Sequence, residues 1–323
     1  MSRGEGKARE GSSAMQQREE IMVCTDRVLT ERQQWEATQA AIDEREGNAL
    51  DSGRLADALV VLSEYTEADA GERLKRLSLV SFGGKRFRNG RALKVFFMGS
   101  WPEWASARVM ALMKRWSNHA NIHIERTTDR AASDVRVEKD PSESSWSYLG
   151  TDILGIPKDE KTMNLGWILN TENDFEASRR VVVHEMGHTL SFGHEQAHPE
   201  GDIDWDREAV YAYYGGPPND WSRAEVDAQV FQKYQGEPVT NFSEYDRASI
   251  MHYAIPAAFV TDPDDVVGWN TKRSPLDKRY AALWYPYPQV EEAITRAIDE
   301  LERAAEARLE GAKRDKDNGA DAE

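Results

Sequence analysis

The sequence predicts an α+β domain in which a twisted mixed sheet packs against helices and is followed by a mainly helical C-terminal subdomain. Two observations support this prediction. A buried-strand pattern, a helical pattern, several short strand patterns and a second helical pattern follow one another along the chain. The stretch from residue 85 to residue 290 also holds the richest apolar patterning and most of the ten tryptophans. It therefore contains the folded domain.

The chain before this domain divides into two parts. Residues 1–20 are small, polar and charged, which predicts a disordered tail. Residues 21–84 predict a helical N-terminal segment, in which Thr30 and Gln33 form a capping-box pattern before one helix and residues 55–62 carry a leucine stripe. These apolar stripes are narrow, so the helices need another surface to pack against.

The elements of the central domain follow in a clear order. ALKVFFMG (92–99) is apolar enough for a buried strand, and the stretch after Pro102 has helical periodicity. Four short strand patterns come next, namely IHIE, SDVRVE, WSYLG and MNLGWI. A helix that carries a histidine-rich stretch closes the series. Strands that precede and follow a helix in this way predict a mixed sheet.

Helical patterns dominate the later part of the chain. DREAVYAYYGG and SRAEVDAQVFQKYQG predict two helices that end at glycine, and Ser222 with Glu225 forms a capping box for the second. Ser274 and Pro275 mark the start of another helix. Residues 291–323 predict a charged C-terminal helix and tail.

Charge and cysteine content limit the function classes. The chain of 323 residues has 57 acidic and 41 basic residues, a formal charge of −16, so nucleic acid and anionic membrane surfaces are not expected partners. One cysteine excludes an internal disulfide. No secretory signal or membrane-spanning pattern is visible, so we expect a cytoplasmic protein or one exported by another route.

The stretch VVVHEMGHTLSFGHEQAH (181–198) contains four of the chain's seven histidines. In a helix over residues 179–190, His184 and His188 lie one turn apart and their rings can reach one metal ion. Glu185 is rotated by about 100° around that helix, where its carboxylate can accept a proton from a water beside the ion. A turn after the helix can bring in His194 as the third ligand.

Two surface histidines on a helix are the alternative interpretation of this motif. The His-Glu-x-x-His pattern with a further histidine at this offset rarely arises by chance, which favours a metal site. Zinc is the expected metal, one ion per chain, because three imidazoles with one open position suit it best.

The spacing from His184 through Glu185 and His188 to His194 resembles the zinc signature of the metzincin endopeptidases. Ser191 stands where that signature has glycine. A serine in a left-handed conformation costs about 1–2 kcal/mol, so the turn before the third ligand is where this chain departs from the pattern.

A second motif narrows the resemblance. SIMHY (249–253) resembles the methionine turn of astacin-like peptidases, and Glu195 directly after the third histidine matches their pattern. The bacterial and fungal branch of these proteins is the most similar. The resemblance implies a metzincin-like domain over residues 85–290, with an upper subdomain (85–194) and a lower subdomain (195–290).

The resemblance also implies roles for further residues. Met251 would form an apolar floor under the imidazoles, and Tyr253 would be an extra metal ligand at rest and a hydrogen-bond donor to the oxyanion during turnover. WSYLG (146–150) is the candidate edge strand for binding an extended substrate. An ordinary core methionine and a buried tyrosine are the alternatives.

Cys24 has two interpretations. Residues 21–84 are a possible pro-region, and some relatives silence themselves with a pro-segment side chain at the open metal position, so Cys24 could be such a latch. A buried thiol that packs a helix is the alternative. We expect His119, His123 and His198 to be structural or surface residues and the acidic stretch 262–265 to be a solvated turn, although calcium binding there is the alternative.

These observations together predict a zinc-dependent endopeptidase that acts on peptide or protein substrates with Glu185 as general base. The alternative is a zinc-stabilised pseudoprotease that acts as a protein-binding module. A non-protease hydrolase with the same zinc motif is a third possibility, which the methionine turn disfavours.

Overall fold

The protein is described from a computed structural model. It describes residues 24–27, 29–45, 48, 81–166, 175–217, 219–233, 240–241, 244–289, 292, 296 and 303. The predicted disordered tail, the second N-terminal helical stretch and most of the C-terminal helix lie outside these residues. Within the part of the chain that is described, no helix is long and apolar enough to cross a membrane.

A five-stranded mixed sheet forms the centre of the molecule. In chain order the strands are β1 (Ser81–Phe82), β2 (Ala92–Phe97), β3 (His123–Arg126), β4 (Val135–Glu138), β5 (Trp146–Ser147), β6 (Met163–Asn164) and β7 (Thr240–Asn241). The main sheet has the order β3-β2-β4-β6-β5, and β1 pairs separately with β7. Neighbouring strands of the main sheet are parallel except β5, which runs antiparallel to β6 at one edge.

Six α-helices are described. They are α1 (Glu31–Glu44), α2 (Glu103–Met113), α3 (Phe175–Thr189), α4 (Arg207–Tyr214), α5 (Arg223–Val226) and α6 (Pro275–Trp284). Capping boxes are present at Thr30 before α1, Ser222 before α5 and Ser274 before α6, the last with Asp277 as the reciprocal partner. Each box satisfies backbone N–H groups that the first turn of a helix leaves without partners. The predicted α+β fold with a mixed sheet is confirmed.

One predicted helix is shorter than its pattern indicates. The stretch that begins at Ser222 forms only four residues of α-helix and continues as a π-helical turn over Asp227–Phe231. The Gln232 N–H donates to the Asp227 carbonyl, five residues back, at 2.8 Å. Such a turn inserts one extra residue into the helix and rotates the side chains that follow it.

Two large hydrophobic clusters and a small third one, which joins Leu29 and Ala37 of the N-terminal segment to Ile156, form the core of the described residues. The larger one joins the main sheet to α2 and α3, and it includes the fully buried Trp116 and Met186. The second one contains residues of α4 and α5 together with Cys24, Trp146 and Tyr253. Since Cys24 belongs to this second cluster, a short piece of the N-terminal segment is packed into the core of the domain.

Candidate metal centre and active site

Three imidazoles converge at the end of α3. His184 and His188 lie one turn apart on this helix, and their Nε2 atoms are 3.1 Å apart. His194 follows after the turn that ends the helix, with its Nε2 3.0 Å from that of His188. All three side chains are buried, with at most 3% exposure. The structure thus brings the three predicted ligands together.

The opposite ring nitrogens have acceptors of their own. His184 Nδ1 lies 2.8 Å from the Ile250 carbonyl, and His188 Nδ1 lies 2.8 Å from the Phe192 carbonyl. A carbonyl only accepts, so these two Nδ1 atoms carry the proton and the Nε2 atoms present lone pairs. His194 Nδ1 lies 3.1 Å from a carboxylate oxygen of Asp26.

This arrangement fits a bound cation. Lone pairs that face each other at about 3 Å repel unless a positive ion lies between them, and carbonyl or carboxylate partners on the far nitrogen are typical of metal-binding histidines. Burial, followed by the charge of His194, lowers the pKa of His188 to about 3, and burial lowers that of His184 well below its usual value. Both rings are therefore in the neutral form that binds metal.

Ser191 forms the turn that carries the third histidine. Its φ is 73°, so the serine adopts the left-handed conformation for which the metzincin pattern uses glycine. Its hydroxyl donates to the Lys85 carbonyl at 2.6 Å, which offsets part of the cost of this conformation. The departure from the pattern is therefore accommodated without displacing His194.

Met251 packs directly under the histidine helix. A Cβ atom on Gly187 would lie 2.4 Å from Met251 Sδ, so only glycine allows this approach. The Arg180 guanidinium donates to the carbonyls of Ile250 and His252, at 3.1 and 2.9 Å. These contacts hold the methionine turn against α3.

The same turn is anchored from the other side by α6. Asp277 accepts hydrogen bonds from the Ser249 hydroxyl at 2.7 Å and from the Ile250 N–H at 2.9 Å. Burial raises the pKa of Asp277 to about 6. The methionine turn is therefore fixed by buried groups of the domain itself.

Glu185 lies beside the imidazoles and contacts the N-terminal segment. Its side chain is buried, and the Cys24 thiol donates to Glu185 Oε2 at 3.2 Å. Burial raises the pKa of Glu185 to about 8, as is typical of a carboxylate that exchanges protons near neutral pH. The Cys24 sulfur and the ring nitrogens of the three histidines all lie within 4.8 Å of one another. Cys24 is thus a potential fourth ligand.

Tyr253 also contacts this segment. Its hydroxyl donates to the Cys24 carbonyl, and its ring centroid lies 4.6 Å from that of His194. Cys24 forms a parallel bridge with Ser145, and the Thr25 N–H donates to the Ser145 carbonyl at 3.3 Å. The segment therefore lies beside the strand that is predicted to bind substrate. This strand contains only Trp146–Ser147 and is shorter than the predicted stretch 146–150.

The sequence-based interpretation missed two polar side chains of this site. Asp26 contacts His194, and Arg180 is a buried cation on α3 that packs 4.1 Å from the Trp269 ring. The only sequence signals for them are their positions, two residues after Cys24 and one helical turn before His184.

The remaining candidates lie away from the imidazoles or play a local role. His198 is buried and accepts a hydrogen bond from the Glu200 N–H at 3.0 Å, whereas His123 is exposed on β3. Residues 262–265 form a 3₁₀ turn in which the Asp262 side chain accepts from the Asp264 N–H at 2.8 Å.

Comparison with known proteins places this fold and site in a family. Two solved structures of myroilysin are similar. One has 38% sequence identity and a TM-score of 0.61 and is matched over 64% of this chain and 98% of its own length. The other has 34% identity and a TM-score of 0.50, over 69% of this chain and 97% of its own length.

A hatching-enzyme zinc-protease of the medaka fish Oryzias latipes, high choriolytic enzyme 1, also matches, with 15% identity and a TM-score of 0.41, over 64% of this chain and 94% of its own length. Comparisons with protein-family models and with curated proteins gave no match.

A buried triad of histidines on such a sheet-and-helix framework defines the metzincin class of zinc proteases. The chain belongs to the astacin-like branch of this class and is a zinc metallopeptidase. The predicted family and enzyme class are confirmed.

Proposed function

We propose that the protein is an endopeptidase that hydrolyses internal peptide bonds of proteins or peptides with Glu185 as the general base. The observation that carries this proposal is the position of Glu185, a buried carboxylate beside three converging imidazoles. A purely structural zinc site has no use for such a group.

Each residue of the site has a task in the proposed reaction. His184, His188 and His194 would hold one zinc ion per chain, which supplies Lewis-acid polarisation of the scissile carbonyl and acidifies water. Glu185 takes the proton of the attacking water and passes it to the leaving amine. Tyr253 donates a hydrogen bond to the oxygen that becomes negative in the transition state. Met251 is the apolar floor.

We further propose that the N-terminal segment keeps the enzyme latent. The Cys24 sulfur lies where it would complete the coordination of the ion, and its thiol also contacts Glu185. The segment thus engages the metal position and the base together, and Tyr253 is engaged through the Cys24 carbonyl. Activation requires displacement of this segment, in agreement with a pro-region over residues 21–84 and a peptidase domain over residues 85–290.

One observation favours the alternative of a pseudoprotease that binds proteins. Three histidines and one cysteine would form a closed four-ligand set, which is the arrangement of structural zinc sites. The two functions differ in what happens when the cysteine is removed, because only a latent enzyme gains turnover.

The test measures zinc content and cleavage of an unstructured protein in four full-length variants. These are the wild type, Cys24→Ala, Cys24→Ala with Glu185→Gln, and Cys24→Ala with Glu125→Gln, the last being a control in an exposed glutamate of β3. We expect one zinc per chain in all of them. Cleavage should rise in Cys24→Ala, stay unchanged with the control, and fall by about 10²–10⁴-fold with Glu185→Gln.

Two results would contradict the proposal. Zinc in every variant without cleavage by any of them would favour the binding module. Cleavage by the Glu185→Gln variant at the level of the control would assign the base to another group.

A further inference from the structure

We infer that Trp146 and Glu143 form a subsite for a positively charged side chain of a bound peptide, and that Arg27 fills this subsite in the present structure. The inference rests on the proposed peptidase function, and it names a substrate class: chains with arginine or lysine at the position that reaches this subsite. The proposed subsite lies in the cleft beside the metal centre and does not include the metal.

Arg27 is held by an aromatic face and a carboxylate. Its guanidinium carbon lies 4.1 Å from the centroid of the Trp146 ring, and its Nη2 lies 3.3 Å from Glu143 Oε2. The Trp146 indole N–H donates to the same oxygen at 3.0 Å and so fixes the carboxylate beside the ring. A planar cation above an indole with an adjacent carboxylate is an arrangement that favours a guanidinium over neutral groups.

The subsite opens into a cavity between the two parts of the domain. The cavity has a volume of about 410 Å³. One wall contains Glu143, Ser144 and Trp146 and the other Trp221, Glu225 and Gln229, and residues 25–27 also line the cavity. Its size and its position beside the cleft are suited to side chains of a bound peptide.

The backbone of the N-terminal segment is bound in a way that any peptide could reproduce. The Thr25 N–H donates to the Ser145 carbonyl. Gln229 Oε1 accepts from the Asp26 N–H at 2.8 Å, and Gln229 Nε2 donates to the Asp26 carbonyl at 3.4 Å. Main-chain recognition of this kind is independent of the peptide sequence, whereas side-chain pockets supply specificity. Arg27 contacts such a side-chain site, which is open to solvent, because its side chain remains 40% exposed.

Charge around the subsite favours a cation after the segment leaves. Lys161 contacts Glu138 at 3.1 Å, Glu143 at 3.3 Å and Asp140 at 3.5 Å, so its one positive charge is shared among three carboxylates. Glu225 adds a further negative charge at the opposite wall. Trp146 is only 2% exposed while the segment is bound, and Arg27 lies closer to its ring, at 4.1 Å from the centroid, than Lys161 does, at 5.8 Å. Departure of Arg27 therefore removes the nearer of these two cations from the ring. An arginine or lysine side chain restores both contacts.

The test measures peptide binding rather than cleavage, in the zinc-loaded full-length chain. The Cys24→Ala/Arg27→Ala double variant weakens the internal occupant and serves as the background. Fluorescein-labelled Ala-Thr-Asp-Arg-amide, which copies residues 24–27 with alanine in place of the cysteine, is titrated by fluorescence anisotropy. Matched peptides carry lysine, norleucine or glutamate at the last position.

We expect the arginine peptide to bind about 5- to 10-fold more tightly than the norleucine peptide, with lysine between them and glutamate weakest. Adding Glu143→Gln to the background should reduce the preference for arginine to about 2-fold or less. Adding Glu103→Gln, a change in an exposed glutamate that pairs with Arg126, should leave the preference unchanged. Thermal unfolding checks that all variants are folded.

Equal binding of the arginine and norleucine peptides would overturn the inference, as would an equal loss with Glu143→Gln and Glu103→Gln. Failure of every peptide to bind at millimolar concentration would also overturn it. Because no cleavage is measured, a chain that prefers the arginine peptide but hydrolyses no substrate would contradict the proposed function and leave the subsite in place.

Discussion

The methionine turn (249–253) and the N-terminal piece 24–27 both contact the metal centre, but they are held in different ways. The turn receives buried hydrogen bonds from Arg180 and gives others to Asp277, both of which belong to the domain. The N-terminal piece is held at both ends, where buried Cys24 contacts Glu185 and exposed Arg27 contacts Glu143, but most of its other hydrogen bonds are partly or fully exposed to solvent. Under the proposed latency, the turn would be a permanent part of the site and the N-terminal piece a cover that can leave.

The acceptors beside the Nδ1 atoms of the three imidazoles come either from the domain or from the N-terminal piece. His184 and His188 each use a backbone carbonyl of the domain, whereas His194 uses the Asp26 carboxylate of the N-terminal piece. Displacement of the segment therefore changes the surroundings of one ligand and leaves the other two as they are. Changes in the methionine turn and changes in the N-terminal piece should therefore have different measurable effects.

The largest effect is expected for Arg180→Met. This change leaves the His252 carbonyl without its buried donor, whereas the Ile250 carbonyl keeps its hydrogen bond from His184 Nδ1. It also removes the guanidinium from the Trp269 ring. Since a buried unsatisfied acceptor costs about 1–3 kcal/mol and each lost hydrogen bond or cation–π contact about 1 kcal/mol, we expect the free energy of unfolding to fall by about 3–4 kcal/mol. Denaturation in urea measures it.

The matched control is Arg223→Met, which removes an exposed arginine that pairs with Glu208. An exposed ion pair contributes about 0–1 kcal/mol, so this variant should remain close to the wild type. Similar losses for the two variants would contradict the view that the methionine turn is anchored by buried groups.

The next effect concerns the pH dependence of the same turn. Burial raises the pKa of Asp277 to about 6, from about 4 in an unfolded chain. The folded state therefore binds more protons than the unfolded state between these values, and the free energy of unfolding decreases as pH rises from about 4 to about 6. About 2–3 kcal/mol of stability should be lost over this window.

Asp277→Asn removes the titrating group while retaining a hydrogen-bonding side chain. In this variant we expect no decrease in the free energy of unfolding between about pH 4 and about pH 6 from this residue. Asp264→Asn, a change in an exposed turn, is the control and should show the same decrease as the wild type. The measurement is urea denaturation at a series of pH values. An unchanged pH profile in Asp277→Asn would show that other carboxylates produce the dependence.

A smaller effect is expected at the turn that positions His194. Ser191 has a φ of 73°, and both Ser191→Ala and Ser191→Gly remove its hydroxyl from the Lys85 carbonyl. Only glycine relieves the left-handed strain, so the glycine variant should be more stable than the alanine variant by about 1 kcal/mol. Thermal unfolding of the two proteins gives the difference. Equal stability would mean that this turn carries no strain.

The parts of the site that could be predicted from the sequence are those fixed by local spacing. His184, Glu185 and His188 share one helix, and the two predicted capping boxes and the Ser274 cap mark where other helices begin. Helical geometry relates such residues directly, so their relative placement needs no knowledge of the tertiary fold.

The remaining parts depend on how distant pieces of the chain pack. Asp26 and Gln229 are 203 residues apart in sequence, yet they share two hydrogen bonds across the cleft. The π-helical turn over Asp227–Phe231 precedes Gln232, and it sets where the Gln229 side chain lies. Neither the turn nor the pairing has a sequence pattern of its own, because both follow from tertiary contacts.

The smallest effect on stability is expected for Gln229→Ala, on the side of the removable cover. Gln229 holds only the backbone of Asp26, and the amide is exposed to solvent, so the free energy of unfolding should change by less than about 0.5 kcal/mol. The effect should instead be seen at Cys24. The chain has one cysteine, and it is buried, so the rate of thiol labelling reports how often the segment opens.

We expect Gln229→Ala to label about 2-fold faster than the wild type, because losing exposed hydrogen bonds worth about 0.5 kcal/mol in total increases the open population by that factor. Gln232→Ala, a change in an exposed residue three positions later, is the control and should label at the wild-type rate. A Gln229→Ala variant that labels as slowly as its control would mean that the segment is held by its other contacts, so that it opens only with the surrounding domain and is not a separate cover.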